Sequence, residues 1–128
     1  MASIDQFSFN VLLGLYPEDI QQRFLMTRAW LLDNCPDLQE EADATSNVVG
    51  YLLGPGYKGS VCTLILSKLE IKLGLAYSAN FDDPNGLLQG KGKVHRHVPI
   101  PAGGHATVIG LAELLEQAID ACRARLSQ

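Results

Sequence analysis

In the first third of the chain apolar residues recur at helical spacing. Ile20, Phe24, Thr27 through its methyl group, and Leu31 form one stripe, with Leu25 and Leu32 beside it, a period that predicts an amphipathic helix. Tyr16-Pro17-Glu18-Asp19 marks its start, because proline is pre-set for a first turn and carboxylates suit the positive end of the helix dipole. Asn34-Cys35-Pro36 marks its end. Phe7 to Leu15 predicts a shorter helix ahead of it, weakened at its end by Gly14. From Asn47 the period drops to two. "NVVGYLL", "SVCTLILS" and "EIKLGLAY" are rich in β-branched and aromatic residues, and in the last of them Ile71, Leu73, Leu75 and Tyr77 alternate with Glu70, Lys72, Gly74 and Ala76. One face of such strands is buried and the other is wet. The gaps between the runs are too short for parallel crossovers, so antiparallel hairpins are expected. "VHRHVPI" predicts a fourth strand, placed at an edge or a strand end by Pro99.

Toward the C-terminus apolar residues at 108, 111, 112, 115, 119, 122 and 126 return to helical spacing. Thr107 is the expected N-cap, and Gly110, read as a helical residue, costs about 1 kcal/mol relative to alanine. "PAGGH", residues 101–105, reads as the one flexible joint. Helices, an antiparallel sheet and a final helix define an α+β domain: a twisted antiparallel β-sheet with N-terminal and C-terminal helices packed on one face. At 128 residues, 47% of them hydrophobic, the chain forms one domain spanning 1–128.

Composition narrows the function classes. No run approaches the roughly 18 apolar residues of a membrane span, and the N-terminus lacks the basic start and cleavage site of a signal peptide, so a cytoplasmic protein is expected. Three cysteines, Cys35, Cys62 and Cys122, have no CxxC spacing and read as reduced thiols, two of them in the core. A net charge of −4 argues against nucleic acid as a partner. That charge is unevenly spread. Residues 1–50 carry eight acidic and two basic side chains, a balance of −6, whereas residues 51–100 carry three acidic and six basic, a balance of +3.

The positive third contains the candidate chemistry. "GPGYKG", residues 54–59, matches G-x-G-x-x-G, but a β-rich run follows it rather than the helix that a dinucleotide site requires. It therefore reads as a hairpin loop with Tyr57 and Lys58 at its exposed tip. Gly90, Lys91, Gly92 and Lys93 form a turn whose amides can approach an anion, and Arg96 can add a bidentate contact or pair with Asp82 or Asp83. His95 and His97, two apart on a strand, share a side and can seat a metal only if His105, Asp82, Asp83 or Cys62 completes the set. The acidic run from Asp37 to Asp43 reads as a solvated linker, and Trp30 and Phe24 as core. Nothing calls for a cofactor, and no nucleophile and base can be paired from spacing.

The segments "YPEDIQQRFLMTRAWLLDNCPDLQEE", "GYLLGPGYKGSVCTLI" and "LGLAYSANFDDPNGLLQGKGKVHRHVPI" together resemble the YdhG-like family of domains of unknown function. The resemblance runs from about Leu13 to Ile100 and is most specific at Asp83-Pro84-Asn85-Gly86-Leu87-Leu88, Gly90-Lys91-Gly92-Lys93 and Arg96-His97-Val98. Pro99 departs from the charged residue that relatives often carry next. The resemblance implies a frataxin-like fold. It also implies, for some relatives, iron carriage on an acidic ridge of the first helix, where this chain has Glu18 and Asp19 together and Asp33 and Asp37 further along.

The expected function is thus a non-enzymatic module that binds an anionic small molecule or an acidic protein surface through Lys91, Gly92, Lys93, Arg96 and His97, bordered by Tyr57 and Lys58. A metal carrier is the alternative, and a hydrolase or transferase the third. An apolar patch on the wet face of the sheet would favour a homodimer.

Overall fold

The computed structural model describes residues 6–43 and 47–128. Residues 1–5, on which the signal-peptide reading partly rests, lie outside the described residues. Helix α1 (Gln6–Gly14) and helix α2 (Glu18–Asn34) lead into strands β1 (Gln39–Asp43), β2 (Val48–Leu52), β3 (Ser60–Leu66), β4 (Ile71–Leu75) and β5 (Arg96–Ile100), and helix α3 (Leu111–Leu126) closes the chain. All four strand pairings are antiparallel, in the order β1-β2-β3-β4-β5. The fold is therefore α+β, with a five-stranded meander and helices at both ends.

The predicted periods explain the core. On α2 the stripe Ile20, Phe24, Thr27 and Leu31 is buried, and Pro17, with φ −59° and ψ 154°, stands just ahead of the first turn. Ile71, Leu73 and Leu75 are buried on β4. Registered across the sheet, Val49, Leu64, Leu73 and Val98 form a row that is at most 2% exposed. This inner face packs with Phe9 and Leu12 of α1 and with Leu111, Leu114, Leu115 and Ala118 of α3 in one core. The opposite row, Gly50, Thr63, Gly74 and His97, is half-buried. Pro99 sits on edge strand β5 opposite Lys72, where its missing N–H breaks no outer ladder.

Several expectations are corrected. The acidic run is an edge strand, not a linker: β1 pairs with β2 along its whole length and turns Glu40 inward. Tyr77 leaves the alternation, because its φ of 56° turns the chain out of β4. Helix α3 begins at Leu111, after a 3-10 turn from His105 to Thr107, and its N-cap is Gly110 in the left-handed region rather than Thr107. Residues 101–104 make a hydrogen-bonded turn in which Gly104 N–H donates to the Pro101 carbonyl (2.8 Å). Phe24 is core, but Trp30 is only partly buried and stacks on His105, with ring centroids 4.9 Å apart. All three cysteines are buried and free.

Candidate functional site

The hairpin tip between β2 and β3 is built by close backbone approach. A Cβ at Gly59 would stand 1.8 Å from the Gly54 carbonyl oxygen, so only glycine lets the chain cross itself there. Leu53 N–H donates to the Gly59 carbonyl (2.8 Å), and a 3-10 turn raises Tyr57 to 73% exposure. Arg125 of α3 anchors the turn by donating to the carbonyls of Lys58 (3.3 Å) and Ser60 (2.9 Å). Its guanidinium also lies 3.9 Å over the Tyr77 ring, a cation–π contact.

Tyr77 links this turn to β5. Its left-handed backbone, unfavourable by about 1–2 kcal/mol for a side-chain-bearing residue, aims its N–H at Nδ1 of His95 (3.0 Å). Because Nδ1 accepts, Nε2 bears the proton of the neutral ring. The imidazole stacks on Tyr57 at 5.6 Å and 13° and meets Tyr77 edge-on at 5.3 Å. Three aromatic rings thus form a wall.

The loop before β5 forms the other side. Gln89 and His97 exchange backbone hydrogen bonds of 2.7 and 3.1 Å. Gly90, with φ 109°, passes close to the His97 ring, where a Cβ would lie 3.2 Å from Cε1. Arg96 donates through Nε to the Gly92 carbonyl (2.6 Å). The expected pairing of Arg96 with Asp82 or Asp83 is therefore replaced by a backbone clamp. The Asp83 carboxylate instead accepts the N–H groups of Leu87 (2.8 Å) and Leu88 (2.9 Å), and Asp82 exchanges hydrogen bonds with the Gln117 side chain on α3.

Between wall and loop lies a groove of about 290 Å³ on the outer face of the sheet. Thr63, Ile65 and Gly74 contribute to its floor, and Tyr57, His95, Arg96 and His97 to its rim. Among the described residues no carboxylate lines it. Of the residues singled out by sequence, the structure brings Tyr57, His95, Arg96 and His97 to the groove, with Cys62 also in its lining. Lys91, Gly92 and Lys93 are exposed outside its lining, and so is Lys58, whose carbonyl serves the Arg125 anchor. The groove also recruits residues that sequence reasoning passed over: Thr63, Gly74, and, behind the rim, Tyr77 and Arg125. Gly74 left a trace as the one glycine in the "EIKLGLAY" alternation; Tyr77 was read only as an apolar position of that strand, and Arg125 left none.

Burial, and then Lys72, hold His97 below its ordinary pKa, against an opposing pull from Glu70, so at neutral pH the ring is uncharged and offers one donor and one acceptor. His95 and His97 line the same groove, but among the described residues no group of three or more His, Cys, Asp or Glu is arranged to hold a metal ion. His105 lies against Trp30 instead. Cys62 contributes to the lining, yet its side chain is buried. Burial, with Cys35 nearby, pushes its thiol far above the ordinary range, which disfavours the nucleophilic thiolate. On the acidic helix, Asp19 is paired with Arg23.

A second hollow of about 190 Å³ separates the Asp82–Leu87 loop from the start of α3. Asn85 bridges it by donating to the Ile109 carbonyl (3.0 Å), which makes it a docking seam. Among the described residues no helix is long and apolar enough to cross a membrane. No family model matches the chain, and no curated protein or solved structure matches it.

Proposed function

We propose that this chain is a YdhG-like domain of frataxin-like fold that works as a non-enzymatic binding module and takes a small anionic molecule in the outer-face groove. The observation that carries the reading is the composition of that groove: Tyr57, His95, Arg96 and His97 line it, with no carboxylate among the described lining residues. A guanidinium and imidazole N–H groups are donors suited to a carboxylate or phosphate, and a pocket of a few hundred Å³ suits a small ligand. The meander between terminal helices supports the family reading. Lys91 and Lys93 stand outside the groove and act as a field that steers anions toward it.

The test is thermal unfolding with inorganic phosphate and acetate. A ligand at a hundred times its Kd adds about 2.7 kcal/mol, which raises the midpoint by several degrees in a domain of this size. The shift is expected to disappear in the Arg96→Gln/His97→Gln double variant and to persist in Lys58→Gln. No shift with either anion, or an equal shift in the double variant, would remove the proposal.

A further inference from the structure

The most unusual residue of the groove is one that lacks a side chain. Gly74 lies inside β4 between buried Leu73 and Leu75, where a half-exposed sheet face ordinarily carries a β-branched or polar residue. Among the glycines of this chain it is not one with a positive φ, so its backbone conformation is open to any residue. Space explains it. A Cβ at this position would stand 2.6 Å from Thr63 Oγ1 on the paired strand and 3.5 Å from Ile65 Cδ1. A single methyl group would therefore crowd the floor. Glycine within a strand is characteristic of sites where another group approaches the backbone closely.

Thr63 Oγ1 leans over that backbone, and around the two the groove lining combines small and aromatic residues. Thr63 Oγ1 and the peptide of Gly74 form a low floor, while the stacked pair of Tyr57 and His95, 13° from parallel, presents aromatic rings on the rim beside His97. Aromatic rims favour stacked or edge-on contact with another ring. About 290 Å³ is at the small end of ligand sites, enough for one or two fused rings with a short substituent.

Resting on the binding-module reading above, we infer that the groove selects a flat aromatic carboxylate, with its ring over Gly74 and Thr63, its carboxylate toward Arg96 and His97, and Gly74 as the residue that sets the specificity. Acetate, phosphate, benzoate and benzamide are titrated separately into the full chain, with binding followed by NMR shifts of the His95 and His97 ring protons. Benzoate is expected to bind at least ten-fold more tightly than acetate. Because Gly74→Ala alone strains the Thr63 contact, the floor is filled in a background that makes room for it. With Thr63→Ala as the reference, Thr63→Ala/Gly74→Ala should bind benzoate at least ten-fold more weakly, while the acetate and phosphate affinities of the two variants agree within two-fold.

If benzoate binds no better than acetate, or the double variant binds benzoate as Thr63→Ala does, the flat-ring inference is overturned and the anion-binding proposal stands. If benzamide binds as tightly as benzoate, the carboxylate is overturned and the ring retained. Failure of all four probes to bind overturns both.

Discussion

Glu40 shows how a single residue can be misread from its neighbours. In "DLQEEAD" it looks like one of a row of solvated acids, but in the fold it is 8% exposed. Both of its carboxylate oxygens accept from Arg28, at 2.6 and 2.7 Å, and Oε2 also accepts from the Tyr51 hydroxyl at 3.0 Å. The Arg28 guanidinium in turn lies 4.9 Å over the Phe9 ring. Burial first, and then Glu40, push the Tyr51 phenol far above its usual pKa, so it stays a donor. The two sides of the ion pair are unequal, since the Arg28 side chain is 33% exposed and that of Glu40 only 7%. Removing Arg28 strands a buried charge, whereas removing Glu40 leaves a cation that water can reach. Urea unfolding should therefore show Arg28→Ala destabilising by about 3 kcal/mol and Glu40→Ala by about 1–2 kcal/mol. The reverse order would mean that the pair is not the buried clamp described here.

At the scale of elements, α3 is the clearest case of a correct period with a misplaced start. The apolar spacing predicted one face from positions 108, 111, 112, 115, 119, 122 and 126; Leu111, Leu115, Ile119 and Cys122 are buried, whereas Ala112 and Leu126 are exposed and Val108 lies ahead of the helix. The boundary differs because the chain enters the helix from a 3-10 turn, and Gly110 makes the corner with φ 99°. As a helical residue Gly110 would gain about 1 kcal/mol on replacement by alanine. As a left-handed cap, with a would-be Cβ 3.2 Å from the Asn85 side chain, it should instead lose about 1–2 kcal/mol. The sign of ΔΔG for Gly110→Ala in thermal unfolding decides between the two. Strand β1 fails differently: Gln-Glu-Glu-Ala-Asp has little intrinsic strand preference, and its place is set by the ladder that β2 offers.

For the molecule as a whole, the two histidines held below their ordinary pKa make stability depend on pH. Burial, followed by Lys72, lowers His97, and burial alone lowers His105, whose Nδ1 is buried with no hydrogen-bond partner among the described residues. They lie apart, one at the groove and the other against Trp30, so their effects should add. A histidine with a depressed folded pKa takes up protons more readily in the unfolded chain, so stability is intact above about pH 6.5 and is lost as the pH falls from there through the lower folded-state pKa. The unfolding midpoint should therefore fall from pH 7.5 to pH 5.5, and a His97→Gln/His105→Gln variant should flatten the decline. An unchanged slope would place the titrating groups elsewhere.

Sequence alone determined the elements whose periodicity is local and whose apolar stripe must be buried somewhere: α2 with its Ile20-to-Leu31 stripe, β2 to β4, edge strand β5, and the inward face of α3. It also marked Tyr57, Arg96 and His97 as residues to watch, together with Lys58, Lys91, Gly92 and Lys93, which lie outside the groove lining, because basic and aromatic side chains beside tight glycine turns are visible in one dimension. Tertiary structure alone decided which of them meet. Arg125 reaches back across 65 residues to the Ser60 carbonyl, and Gly74 becomes a groove floor only once Thr63 is registered opposite it. Strand β1 and the inward turn of Glu40 likewise depend on partners distant in the chain. Period follows from backbone geometry and the burial of apolar surface, which each segment carries by itself, whereas a site is a set of distances between segments, and those exist only after the sheet has paired.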